Sequence, residues 1–236
     1  MDAEDTIIVM GNPGSGKSTI LNQIVQTPIF RSGLSFDGTG VTKEIQSCRM
    51  KKMLLVDTPG LNDDNRNARI KASKEIEKLF KHLKNKNVKL FFVITLESGR
   101  LRPDDVLVII LINEILKFES SYSIIFNKLE SSLIKEFSYN RSIAQYESDL
   151  IKTRSVFKIQ CNKDMLDQDN YITHLDNKLM SFIANAPYCK VPSGIGNIRH
   201  HLFERDVNYL RSEIGKLESE INKIEKDTKK LKSNNK

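Results

Sequence analysis

The apolar residues of this 236-residue chain fall into short runs that alternate with longer amphipathic stretches. Short apolar runs bounded by turn residues are typical of buried strands, whereas apolar residues recurring every three or four positions are typical of helices. The runs predict six strands, at residues 6–10, 44–49, 53–56, 88–95, 122–126 and 156–160. The helical spacing predicts helices at residues 16–26, 65–84, 102–117, 129–137 with 143–151, and 167–184. This alternation predicts an α/β fold in which a mostly parallel six-stranded sheet carries helices on both faces.

Beyond residue 198 the apolar positions follow heptads, with Val207, Ile214 and Ile221 at a and mainly leucine at d. β-branched a residues with leucine at d favour a two-stranded parallel coiled coil. Like charges would face each other across the seam of a homodimer, and Gly215 weakens the helix by about 1 kcal/mol. We therefore predict two parts, residues 1–198 and a C-terminal amphipathic or coiled-coil helix at 199–236. Self-association, pairing with a related chain and folding back onto the first part all stay open for this helix.

The first predicted strand runs directly into a segment that fills every fixed position of the phosphate-loop template GxxxxGK[ST]. The predicted nucleotide-binding residues here are Gly11, Asn12, Pro13, Gly14, Ser15, Gly16, Lys17, Ser18 and Thr19. Glycines allow successive backbone N–H groups to point at the anionic oxygens of a nucleotide, and the following helix turns its positive end toward them. Lys17 is expected to reach the β- and γ-phosphates, and Ser18 to offer its hydroxyl to Mg²⁺.

A second chemical motif, Asp57-Thr58-Pro59-Gly60, ends the third predicted strand. A buried parallel strand would deliver it to the phosphate edge of the sheet, where Asp57 would hold Mg²⁺ through water and the Gly60 N–H would bind the γ-phosphate. The polar loop between the two motifs offers Thr39 and Thr42, one of which we expect to close on Mg²⁺ when the γ-phosphate is present. We favour Thr42, with Thr39 as the alternative, so the predicted metal ligands are Ser18, Thr42 and Asp57.

Base recognition is predicted at Asn127-Lys128-Leu129-Glu130, which resembles the guanine-binding motif NKxD. The carboxylate of that motif accepts two N–H donors that guanine has and adenine lacks. Glu130 keeps the charge but adds one methylene group, so weaker guanine selectivity or affinity is expected. Asn127 and Lys128 would brace the loops and pack along the base. After the sixth strand, Asn162 lies where a further loop would present a backbone N–H to the guanine oxygen.

Composition narrows the class of protein further. The three cysteines are far apart and lack CxxC spacing, which argues against a disulfide framework or a zinc site. The net charge of +7 comes from 37 basic and 30 acidic residues mixed along the chain, so we expect no nucleic-acid partner. Apolar runs stay shorter than a membrane span, and the N-terminus is acidic, so we expect a cytoplasmic protein. Lysines near the C-terminus leave peripheral membrane contact as an option.

The three motifs GNPGSGKS, DTPG and NKLE occur in the order and spacing of the GTPase superfamily. The segment KLFFVITLESGRLRPDD at residues 89–105 resembles the stretch by which immunity-associated nucleotide-binding GTPases, the IAN or GIMAP proteins, are recognised. That family belongs with septins and Toc receptors, and the resemblance covers about residues 5–185. It implies a phosphate-loop GTPase fold, GTP or GDP with Mg²⁺ as bound ligands, and a switch that dimerises across its nucleotide face.

Leu61 follows the DTPG motif, where many small GTPases place a glutamine that orients the attacking water. Leucine cannot polarise water, so slow intrinsic hydrolysis is expected. An arginine supplied across a dimer face is worth about 10³ to 10⁵ in rate, and Arg100 is our candidate, with a solvated loop cation as the alternative. The residues expected to support hydrolysis are Lys17, Thr42, Gly60 and Arg100.

The sequence thus predicts a Mg²⁺-dependent GTP switch that forms a homodimer or a hetero-oligomer with related GTPases. An ATP-using phosphate-loop enzyme and a scaffold that holds nucleotide without turnover are the rival interpretations.

Overall fold

The computed structural model describes residues 5–33, 41–63, 65–97, 99–118, 121–134, 153, 155–161, 172 and 176–198. All of them lie in Met1–His200, the first of two units into which the chain divides. Thr39, Asn162, the predicted helix at 143–151 and the predicted C-terminal helix at 199–236 lie outside the described residues. The division at residue 198 therefore stays a prediction.

The strands of the described part form one mixed sheet of eight strands. They are β1 (Asp5–Met10), β2 (Gln46–Met50), β3 (Met53–Asp57), β4 (Asn87–Glu97), β5 (Arg100–Leu101), β6 (Ser123–Leu129), β7 (Ser155–Gln160) and β8 (Tyr188–Lys190). The order along the sheet is β2-β3-β1-β4-β6-β7, with β5 and β8 each paired to β4. The helices with assigned bounds are α1 (Lys17–Val25), α2 (Arg66–His82), α3 (Pro103–Leu116) and α4 (Asn177–Asn185).

The prediction of a mostly parallel α/β sheet is confirmed, but the predicted number of six strands was wrong. Pairs β1–β3, β1–β4, β4–β6 and β6–β7 are parallel. β2 is antiparallel to β3 because only two residues separate them, and so short a connection makes a hairpin. The two strands that the apolar pattern missed, β5 and β8, have two and three residues, too few for alternation to show. β8 pairs with residues 87–89 of β4, on the side of β4 opposite to β1.

Two predicted helix starts also need correction. The helix predicted over residues 167–184 is interrupted at Asp176, which has extended backbone angles and whose carboxylate accepts a hydrogen bond from the N–H of Lys178, so the described helix α4 begins at Asn177. Leu129, predicted to open a helix, is the last residue of β6, and helical backbone follows at residues 131–134. Strand pairing with β7 extends β6 past its apolar run and through the polar pair Asn127-Lys128.

Alternation along the strands divides the core between the two faces of the sheet. Ile7, Phe91 and Ile125 share one buried cluster with residues of α1 and α4. Phe92 points to the opposite face, where its ring lies 5.8 Å from that of Phe118, just after α3. Within the described residues, no helix combines the length and the hydropathy that crossing a membrane requires.

Parallel pairing brings the carboxyl ends of β1, β3 and β6 to one edge of the sheet. Val9 pairs with Asp57, and Thr95 of β4 pairs with Asn127, so the segments that follow these strands start at similar heights. Ligands of open α/β sheets bind at this edge. The predicted phosphate, metal and base motifs all begin there.

Candidate functional site

The loop between β1 and α1 is shaped as an anion cradle. Gly16, the residue before α1, has a φ of +94° and offers no side chain to cap the helix. A Cβ at this position would lie 2.3 Å from Nδ2 of Asn127, so the close approach requires glycine. The first N–H groups of α1 lack a capping side chain, and such helix N-termini bind phosphate.

Lys17 is buried inside this loop, with 5% of its surface exposed. Its Nζ donates a hydrogen bond to the backbone oxygen of Asn12 at 3.0 Å. Burial lowers the pKa of Lys17, while the charges of Asp57 and Asp105 oppose that shift. A buried ammonium whose direct partner is a neutral carbonyl is poorly compensated, and a bound anion would compensate it.

The three predicted metal ligands meet beside Lys17. Ser18 Oγ donates to Asp57 Oδ2 at 2.6 Å, and Thr42 Oγ1 donates to the same oxygen at 3.3 Å. The two hydroxyl oxygens are 3.1 Å apart. All three side chains are buried. The arrangement places one carboxylate and two hydroxyls, from α1, the end of β3 and the loop before β2, around a common point.

This oxygen cluster fits a magnesium ion. Asp57 is fully buried, and its Oδ1 has no hydrogen-bond partner among the described residues. Burial raises the pKa of Asp57, and the charge of Lys17 counteracts that rise. Hard cations prefer carboxylate, hydroxyl and water oxygens, which this cluster can supply. Among the described residues, no three histidine, cysteine, aspartate or glutamate side chains are grouped as metal ligands, so the hydroxyls of Ser18 and Thr42 are needed beside Asp57.

The DTPG segment packs against the phosphate loop. Thr58 Oγ1 donates to the backbone oxygen of Val9 at 2.9 Å, which fixes the segment to β1. Gly60 lies so close to Pro13 that a Cβ on Gly60 would be 2.4 Å from Pro13 Cδ. The Gly60 backbone is therefore held directly against the loop whose ligand it was predicted to contact.

Asn127 and Lys128 also hold the phosphate loop. Asn127 Nδ2 donates to the backbone oxygen of Ser15, and Lys128 Nζ to that of Gly14, each at 2.9 Å. Burial lowers the pKa of Lys128. The backbone at Lys128 has a φ of +57°, an unusual value for a side chain of this kind. Glu130 is exposed just beyond them, at the start of the helical residues 131–134.

Three other predicted positions lie at or near this edge. Thr19 is half-buried in the first turn of α1. Leu61 is buried, with 1% of its surface exposed, and contributes an apolar side chain only. Arg100 is exposed on β5, opposite Glu97 of β4, at the same end of the sheet as the phosphate loop.

Sequence reasoning missed two features of the site. Asp105, in the first turn of α3, accepts a hydrogen bond from Asn12 Nδ2 at 2.6 Å. The sequence Pro103-Asp104-Asp105 marks a helix start, but nothing in it indicates Asn12. Asn22 exchanges two hydrogen bonds of 2.8 Å with the backbone of Phe30, which fixes the loop that follows α1.

The family model described as 50S ribosome-binding GTPase matches residues 6–128, which is more than half of the chain. The matched region contains the phosphate loop, the DTPG segment, Asn127 and Lys128. No curated protein matches the chain in sequence.

Solved structures share the fold at low sequence identity. One structure is described by the statement that dimerization is important for the GTPase activity of the chloroplast translocon components atToc33 and psToc159. It is 18% identical to this chain, with a TM-score of 0.51, and the match covers 78% of this chain and 83% of that one. Era in complex with MgGDPNP and nucleotides 1506–1542 of 16S ribosomal RNA is 16% identical, with a TM-score of 0.51. That match covers 78% of this chain and 57% of Era. These likenesses show the phosphate-loop GTPase fold.

Proposed function

This chain belongs to the family of 50S ribosome-binding GTPases, and we propose that it is a Mg²⁺-dependent guanine-nucleotide switch with slow intrinsic GTP hydrolysis. We further infer that it falls in the IAN or GIMAP branch, which the segment at residues 89–105 supports. In this proposal the nucleotide state controls dimerisation or assembly with related GTPases.

The observation that carries the proposal is the convergence of Ser18, Thr42 and Asp57 beside a buried Lys17. Ser18 and Thr42 would bind Mg²⁺ directly, and Asp57 through water. Bound Mg²⁺ supplies charge neutralisation at the β- and γ-phosphate oxygens. Thr42 comes from a loop rather than from a helix or strand. A loop ligand of this kind can respond to the presence of the γ-phosphate, which is the basis of a switch.

Asn127 and Lys128 support guanine as the base. Their contacts with Ser15 and Gly14 couple the base-binding strand to the phosphate loop, so both ends of one nucleotide would act on a single rigid unit. Glu130 stands exposed beyond them. Its carboxylate would accept the two guanine N–H groups, with looser geometry than an aspartate gives.

Buried Leu61 supports slow hydrolysis, because a leucine side chain cannot orient water. A partner that contributes an arginine across the nucleotide face would restore the missing charge stabilisation. Arg100, exposed at this edge, is the residue we assign to that role. The pocket side chain that assists from within the chain is Lys17, with Gly60 supplying its backbone N–H.

The proposal is tested by measuring the affinities of GTP, GDP and ATP in Mg²⁺, for the wild type and for Lys17→Ala. We expect guanine nucleotides to bind more tightly than ATP, and Lys17→Ala to lose binding. Lys74→Ala, which removes an exposed lysine on α2, is the matched control and should bind normally. Equal affinity for ATP would favour the ATP-using alternative.

Turnover measured against protein concentration separates a switch from a scaffold. A rate per molecule that rises with concentration supports hydrolysis assisted by a partner copy. Undetectable turnover at every concentration, with unchanged assembly in GDP and in a GTP analogue, would favour the scaffold. Cytoplasmic location, peripheral membrane contact and the lack of a nucleic-acid partner stay predictions. Because Era was solved with ribosomal RNA, RNA binding is the first of these to measure.

A further inference from the structure

A buried carboxyl from α3 lies directly behind the phosphate loop. Asp105 is 3% exposed and Asn12 is 2% exposed, and Asn12 Nδ2 donates to Asp105 Oδ1 at 2.6 Å. The backbone N–H of Thr95 also hydrogen-bonds to this carboxyl group. The backbone oxygen of the same Asn12 accepts the hydrogen bond of Lys17. The orientation of Asn12 therefore links Asp105 to the phosphate-binding lysine.

Asn12 Oδ1 and Asp105 Oδ2 are both buried, and neither makes a hydrogen bond within the described part of the chain. Both atoms are acceptors when the carboxyl is ionised, so they cannot satisfy each other. A proton on Asp105 Oδ2 turns that oxygen into a donor, and the acid and the amide can then form a ring of two hydrogen bonds. Leaving two buried acceptors unpaired would otherwise be costly.

Some neighbours of Asp105 favour its ionised form and others favour its protonated form. Arg102 and the hydrogen bond from Asn12 favour the ionised form, as does the attraction between Asp105 and Lys17. Asp104 and, above all, burial favour the protonated form. Burial prevails and raises the pKa of Asp105 to about 6. A nucleotide phosphate would add negative charge and draw Lys17 toward itself, and both effects favour protonation further.

We propose that Asp105 is a positioning residue that, as a neutral acid, holds the side chain of Asn12. Binding of a nucleoside triphosphate places the proton on Oδ2 of Asp105. The proton comes from solvent, adds to the carboxylate and donates to Asn12 Oδ1, with no other bond made or broken. This inference rests on the proposed nucleotide-binding function. Its consequence is that nucleotide affinity depends on pH through a group that never touches the ligand.

The size of the effect follows from titration. The pKa of about 6 leaves roughly a tenth of Asp105 protonated at about pH 7, and a further rise of this pKa on phosphate binding increases that fraction. Binding would then take up part of a proton at this site, about 0.9 at most. Asp105→Asn imitates the neutral acid, because its Nδ2 donates where the proton would, so this uptake should vanish.

The number of protons taken up on binding is measured by calorimetry of a non-hydrolysable GTP analogue with Mg²⁺ at about pH 7, in two buffers of different ionisation enthalpy. Protons taken up or released by the nucleotide itself are the same for wild type and Asp105→Asn, so they cancel when the two uptakes are subtracted. We expect the wild type to take up several tenths of a proton more than the variant, and the variant to bind at least as tightly. Asp176→Asn, an exposed carboxyl at the start of α4, is the matched control and should behave as the wild type.

Equal proton uptake by wild type and Asp105→Asn would overturn the proposal. A second measurement uses the ligand-free protein, so that it decides the matter even if no nucleotide binds. The difference in unfolding midpoint between wild type and Asp105→Asn should change between about pH 5 and about pH 7.5. A constant difference would show that Asp105 does not carry the proton. Failure of all nucleotide binding with a pH-dependent difference would instead refute the proposed function and leave the neutral pair standing.

Discussion

Asp105→Asn is expected to stabilise the ligand-free protein at neutral pH, although it removes a carboxylate from a helix N-terminus. Burial raises the pKa of Asp105 from 3.8 to about 6. A carboxyl whose pKa is raised by folding stabilises the native state in its protonated form. That contribution is complete below about pH 4 and is lost as the pH rises through about 6.

The magnitude follows from the two pKa values. A rise from 3.8 to about 6 corresponds to about 3 kcal/mol lost on ionisation, since each pKa unit is worth about 1.4 kcal/mol. Asparagine carries no charge, and its Nδ2 can donate to the unpaired Oδ1 of Asn12. We therefore expect the variant to be more stable than the wild type by about 3 kcal/mol at about pH 7.5 and by about 1.5 kcal/mol at about pH 5, so that the difference changes by about 1.5 kcal/mol between the two.

Urea unfolding of the ligand-free proteins at these two pH values gives the free energies directly. A gain near 3 kcal/mol would raise the midpoint by about 1 to 2 M urea at neutral pH, for slopes of ordinary size. Asp176→Asn should change little at either pH. If Asp105→Asn were less stable than the wild type at neutral pH, or if the difference did not vary with pH, the reasoning about the buried pair would be refuted.

Three further predictions concern other parts of the site. Asn22→Ala should lower the free energy of unfolding by about 2 to 4 kcal/mol in urea, because it leaves the buried N–H and C=O of Phe30 unpaired; a loss below about 0.5 kcal/mol would contradict this. Arg100→Ala should reduce the concentration-dependent GTPase rate by at least about 10³ while GTP affinity stays unchanged, and an unchanged rate at high protein concentration would remove Arg100 from the mechanism. Glu130→Asp should raise the ratio of GTP to ATP affinity by about tenfold in competition binding, whereas an unchanged ratio would exclude Glu130 from base recognition.

The contiguous motifs could be predicted because each one acts within a few residues of chain. The GxxxxGK[ST] spacing fixes a loop and a helix start, and DTPG follows an apolar run that has to be a buried strand. Parallel pairing of β1 with β3 brings Ser18 and Asp57 to one edge, and the antiparallel β2–β3 hairpin returns the loop that holds Thr42 to the same edge, so the three side chains meet. The roles of these residues stay predictions until ligand binding is measured.

Contacts between distant residues could not be predicted in the same way. Asn12 and Asp105 are 93 positions apart, and each one alone has an ordinary local explanation, a loop residue and an acidic first turn. The extra strands β5 and β8 exist because they pair with the long β4, not because of their own two or three residues. The later start of α4 reflects the cap at Asp176, a signal that the apolar spacing of the preceding residues obscured.

Ser18, Thr42 and Asp57 are proposed to form the Mg²⁺ site of a bound guanine nucleotide. Its most direct test is the affinity of a GTP analogue measured as Mg²⁺ is titrated, for the wild type and for Asp57→Asn. Asparagine keeps an oxygen for Ser18 but removes the charge that faces the cation. We expect Mg²⁺ to strengthen binding by at least about tenfold in the wild type and to have little effect in the variant. Identical Mg²⁺ dependence in the two proteins, or no dependence in the wild type, would contradict the account.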